Sequence, residues 1–95
     1  MSEPKIELSA PPDVERQGGT EILRLFVCDG ALSISMQRAF AEPGMWGQLL
    51  AELAQQVSRV YARETDLNAD EAFAEIRFAL EAAFDRIESE GPAIN

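Results

Sequence analysis

A chain of 95 residues with 17 Asp and Glu against 8 Lys and Arg carries a formal charge of -9. Such a surface repels nucleic-acid phosphates and anionic membranes alike, since affinity for both comes largely from Lys and Arg; it suits a basic protein partner. One Cys and no His exclude an internal disulfide and Cys/His metal spacing, while 46% hydrophobic and 26% charged residues describe one globular domain, short enough that self-association is a common way to finish its core.

Residues 1–20 hold Pro4, Pro11, Pro12, Gly18 and Gly19, punctuation too dense for a long regular element, so an extended N-terminal arm is expected. Within it, Ile6 and Leu8 alternate with Lys5 and Glu7, the pattern of a short edge strand or a cover over the core. Asp13 to Gln17, after Pro12 and before Gly18, suit a single helical turn. The segment MSEPKIELSAPP lacks a basic start followed by an apolar run, and no apolar stretch approaches the roughly 18 residues of a membrane span; a cytoplasmic protein is expected.

The remainder, residues 21–95, reads as a single α+β domain. EILRLFVCDGALSISM contains two β-type runs joined by Asp29-Gly30, the dipeptide that supplies the positive φ angles of a type I′ turn. A two-residue loop fixes the register, setting Cys28 opposite Ala31, Val27 opposite Leu32, Leu25 opposite Ile34 and Leu23 opposite Met36. The last three pairs share one apolar face; Arg24 with Ser35 and Phe26 with Ser33 take the other. A slip of one residue would turn Leu32, Ile34 and Met36 to water at roughly 1.5–3 kcal/mol each. The hairpin, about residues 21–37, is marginal alone and predicts a helical cover.

That cover is expected from a helix over residues 43–64, with Pro43 in its first turn. Trp46, Leu49, Leu50, Leu53, Val57, Val60 and Tyr61 form a large apolar stripe at about 100° per residue. Beside it runs a stripe of small residues, Gly47, Ala51, Ala54, Ser58 and Ala62, which lets a neighbour approach closely. A second helix over residues 69–90 is predicted by Asn68 with Glu71, a capping-box variant worth about 1 kcal/mol, and by Phe73, Ile76, Leu80, Ala83, Phe84 and Ile87 at helical spacing. Gly91 and Pro92 supply its stop, and the brief connection predicts antiparallel packing. Asp66 to Glu90 hold eight acids and two arginines, so the negative field concentrates on this helix.

Phe78 breaks the pattern, since it lies about 170° from that helix's apolar centre. Ala74 and Ala82 stand in line with it, and Glu71, Glu75, Glu81 and Asp85 surround it. An apolar knob rimmed by carboxylates has the composition of a small helix-to-helix interface, although a lone exposed Phe is also an ordinary surface residue.

Catalytic patterns are thin. Without His, Ser33, Ser35 and Cys28 lack the usual activating base. Asp66, Asn68 and Asp70 open like a calcium loop, but Glu71 stands where that loop needs glycine and Arg77 where it needs glutamate. No catalytic residue, metal or cofactor is expected. The one candidate pocket is drawn from Trp46, Tyr61 and Arg24, with Trp46 as a stacking platform or, more simply, a core anchor.

The runs EILRLFVCDGALSISM and EPGMWGQLLAELAQQVSRVYARE resemble a family of small, mainly alphaproteobacterial proteins, domain of unknown function 5076. The resemblance rests on Glu21-Ile22-Leu23-Arg24, on Trp46-Gly47 within Pro43 to Gly47, and on Val60-Tyr61-Ala62, and it covers most of residues 20–90. It implies a bacterial origin and a shared fold and supplies no catalytic residue. The expected protein is therefore an α+β hairpin on two antiparallel helices. It acts as a non-enzymatic interaction or structural module, as a homodimer formed by a strand edge or by the Phe78 face. The alternatives are a small-molecule-binding domain or enzyme subunit and, on acidity alone, a DNA-mimicking inhibitor.

Overall fold

A computed structural model describes residues 4–91 and divides the chain between Ala39 and Phe40 into two compact units. The first contains helix α1 (Pro12–Gln17) and strands β1 (Leu23–Cys28) and β2 (Ala31–Met36); the second contains helices α2 (Gly44–Glu64) and α3 (Ala69–Ser89). The class is α+β, with an antiparallel hairpin, two long packed helices and a short N-terminal helix.

In the first unit the register follows the turn. Asp29 and Gly30 take φ angles of 53° and 79°, as a type I′ turn requires. All six pairs form as the side-chain alternation predicts, from Cys28 with Ala31 to Leu23 with Met36. The resulting face stays open to water: its exposed side chains run from 48% for Leu25 to 77% for Val27, with Leu32, Ile34 and Met36 between them.

The N-terminal arm is not extended throughout: the helical turn expected at Asp13 to Gln17 forms, as α1. Pro11 and Pro12 pre-set the φ angle for a helix start, and α1 ends where Gly18 adopts a φ of 78°. The short strand expected at Ile6 to Leu8 is not formed, and the sheet of the described residues has two strands. Side chains hold this segment instead, because Arg24 Nη1 donates to Glu7 Oε2 at 2.8 Å while Ile6 and Leu8 remain exposed.

In the second unit, Thr65 ends α2. Its hydroxyl donates to the Tyr61 carbonyl at 2.8 Å and accepts from the Leu67 amide at 3.1 Å. Asn68 then opens α3 with both halves of a capping box: its side chain accepts from the Glu71 amide, and the Glu71 carboxylate accepts from the Asn68 amide. Four residues thus separate the two helices, and Gly91 follows α3 with a φ of 81°; Pro92 lies outside the described residues.

The seam between α2 and α3 uses the small residues. Ser58 on α2 and Ala72 on α3 are the two buried residues among those described, each 2% exposed. Ala54 and Val57 beside Ser58, and Phe73, Ile76 and Ala83 along α3, are half-buried. Ser58 Oγ donates to the Ala54 carbonyl at 2.8 Å, so its hydroxyl is satisfied within its own helix. The large stripe of α2 is less covered than a core face should be, because Leu50, Leu53, Val60 and Tyr61 remain exposed. Bulk at those positions cannot enter a seam whose spacing is set by Ala54, Ser58 and Ala72.

Candidate functional site

Phe78 stands where helical geometry puts it, on the side of α3 turned away from α2, and is 77% exposed. Ala74 and Ala82 lie one turn on either side, and Glu75, Glu81 and Asp85 are all exposed around it. One of these acids is engaged within the helix: Arg77 Nε donates to Glu81 Oε2 at 3.0 Å, an exposed pair four residues apart. Such surface pairs contribute little to stability, so Glu81 is not locked in this arrangement. The patch combines one large apolar side chain, two small flanks and a rim of carboxylates.

The three pocket candidates lie in different places. Trp46 sits in the first turn of α2, half-buried, with its ring 5.7 Å from that of Phe40 in an edge-to-face contact. Tyr61 is fifteen positions further along the same helix, about 22 Å at 1.5 Å per residue, so the two do not line one pocket. Tyr61 borders instead a shallow cleft of about 230 Å³ between α2 and α3, with Leu67, Ala72, Glu75, Ile76 and Ala79. Arg24 belongs to the hairpin unit. Phe40 carries no signal in the sequence, because a lone aromatic in the linking segment has no periodicity; only its contact with Trp46 marks it.

Arg24 is held from two sides. Its guanidinium donates to Glu21 at 3.0 and 3.2 Å and to Glu7 at 2.8 Å, and it lies 5.9 Å above the Phe26 ring. Hydrogen bonding to Glu21 pushes its pKa further above the ordinary arginine value. Glu7 is held below the ordinary carboxylate range, first by the charge of Lys5 and then by the hydrogen bond from Arg24. The sign follows: the Glu7 tie is intact above the ordinary carboxylate range and is released as pH falls through the lowered value. Beside this network, Ile6, Glu7 and Leu8 and the residues Leu23 to Phe26 border a cleft of about 200 Å³. Because that lining includes side chains from both faces of β1, the cleft runs along its outer edge. An arginine already paired with two carboxylates is a fastening for the arm rather than an anion receptor.

Among the described residues no cluster of three or more potential metal ligands occurs, and Asn68 and Glu71 are occupied in capping α3. No helix of the described residues is long and apolar enough to cross a membrane.

Comparison with known proteins follows the same regions. The model of a family described as Domain of unknown function (DUF5076) matches residues 7–87. A solved structure of a "putative pyruvate dehydrogenase" from the photosynthetic bacterium Rhodopseudomonas palustrus CGA009 is 46% identical; the match covers 90% of this chain and 99% of that one, with a TM-score of 0.68. Among curated proteins, none matches this sequence.

Proposed function

This chain belongs to the DUF5076 family, and on that premise we propose that it is a non-catalytic interaction module. It works as a homodimer in the bacterial cytoplasm and offers the Phe78 face of α3 to a basic protein. The observation that carries this reading is the amount of large apolar side chain left in water. Leu25, Val27, Leu32, Ile34 and Met36 form one open face on the hairpin, and in the helical unit Leu50, Leu53, Leu80, Phe84 and Ile87 are separately exposed. An apolar face of this kind, as on the hairpin, marks an interface. The dehydrogenase activity in the Rhodopseudomonas chain's name is left with that protein, since this reading is built on surfaces rather than on a reaction centre.

Charge assigns the two surfaces to different occupants. Two copies meeting through the Phe78 face would bring Glu75, Glu81 and Asp85 of both chains together, and like charges across an interface oppose association. A helix with Lys and Arg around an apolar anchor has the complementary chemistry. Strand β2 of the hairpin carries no ionisable side chain and meets a second copy without that penalty.

Phe78→Ala is expected to leave the unfolding free energy measured in urea within about 0.5 kcal/mol of wild type, as suits an exposed side chain. It is also expected to abolish salt-sensitive recovery of a basic protein from host extract and to leave the native mass unchanged. Undiminished recovery together with a loss of several kcal/mol would make Phe78 a core residue and remove the proposed docking role.

A further inference from the structure

We infer that the second copy of this chain joins along the outer edge of β2, antiparallel and centred on Ile34, to make a four-stranded sheet. The inference rests on the homodimer reading above and names the surface that builds it.

The backbone first decides which groups are available. The two-residue turn makes Cys28 and Ala31 a hydrogen-bonded pair, and the Gln37 amide donates to the Ile22 carbonyl at 3.1 Å at the other end. Bonded and non-bonded pairs alternate along an antiparallel ladder, so Phe26 with Ser33 and Arg24 with Ser35 are bonded as well. The N–H and C=O groups of Leu32, Ile34 and Met36 therefore point away from β1. No backbone partner for them occurs among the described residues.

The two edges of the hairpin differ. The edge of β1 is flanked by Ile6, Glu7 and Leu8, and Arg24 ties Glu7 beside it. The edge of β2 is bare: from Ala31 to Gln37 there is no charged residue, no proline and no interruption in the pairing. Edge strands that are not meant to pair usually carry such a guard.

The strand is also complementary to itself. Antiparallel pairing about a two-fold axis at Ile34 sets Ile34 opposite its own copy and Leu32 opposite Met36, with every outward backbone group on those three residues matched. Leu32, Ile34 and Met36 then stay on the same face as Leu23, Leu25 and Val27, so the sheet has one apolar side with six such residues from each copy. Ser33 and Ser35 oppose each other on the polar side. Four strands with a hydrophobic face also pass the limit at which a two-stranded hairpin is marginal.

Cysteine cross-linking reads the register directly. In a Cys28→Ser chain, Ser33→Cys and Ser35→Cys together place each new thiol opposite its mate at a non-hydrogen-bonded position, with Cα atoms about 4.5 Å apart and within disulfide range. Either substitution alone leaves the thiols diagonal at about 7–8 Å, beyond that range. The expected result is a covalent dimer for the double variant under mild oxidation and for a refolded mixture of the two single variants, with little from either alone. A dimeric native mass without that cross-link, or efficient cross-linking of a single variant, would overturn the β2 edge while leaving the dimer reading in place. A monomeric mass would overturn both.

Discussion

Ser58→Leu is expected to force α2 and α3 apart and to destabilise the helix pair by about 1–3 kcal/mol, the usual cost of overpacking a tight contact. Ser58 is 2% exposed and has the small side chain of Ala54 one turn before it on the same helix, with Ala72 equally buried on α3. The two added heavy atoms have nowhere to go unless the helices separate. Ser58→Ala provides the control. It keeps the seam narrow and removes only a hydrogen bond to the Ala54 carbonyl, so its cost should fall near 1 kcal/mol or below. Urea unfolding followed by helix circular dichroism at one fixed protein concentration separates the two. Equal midpoints for the leucine and alanine variants would mean that the seam does not depend on small residues.

Ile34→Asp is expected to produce the largest effect on assembly. Ile34 lies in the middle of the open hairpin face and, in the proposed contact, at the two-fold axis, where two carboxylates would stand directly opposite each other across the paired strands. Like charges juxtaposed across an interface cost several kcal/mol, and the dimer dissociation constant should rise by at least about a hundredfold, equivalent to about 2.8 kcal/mol. Gln56→Asp adds the same charge at an exposed position on α2 and should leave the mass distribution unchanged. Sedimentation of both variants over a dilution series makes the comparison. An Ile34→Asp chain that remains as dimeric as wild type would show that the β2 edge is not the interface.

The hairpin was legible because two independent signals coincide in a short stretch. Asp29-Gly30 dictates the turn, and the alternation of Leu23, Leu25 and Val27 with Leu32, Ile34 and Met36 dictates the same pairing. The Asn68 and Glu71 cap was legible for a similar reason, as two side chains at fixed spacing satisfy each other's backbone groups. The segment around Ile6 was not, because strand alternation over four residues says nothing of whether backbone groups meet; Arg24 and Glu7 anchor it through side chains instead. On α2 both stripes were visible, but hydrophobicity alone pointed to the larger as the core face. Packing distance decided otherwise at the seam with α3, where Ser58 fits and leucine does not. Phe78 announced itself by standing out of phase, whereas grouping Trp46 with Tyr61 ignored the length of helix between them.

The account depends most on one physical claim, that a single copy of this chain does not bury its own apolar surface. Sedimentation equilibrium of the unmodified protein from high to low micromolar concentration tests it without any substitution. The predicted result is a mass twice the 10.5 kDa of the chain, falling toward the monomer only as helical signal and stability are also lost on dilution. A fully folded 10.5 kDa species across that range, with an unfolding midpoint independent of concentration, would contradict it.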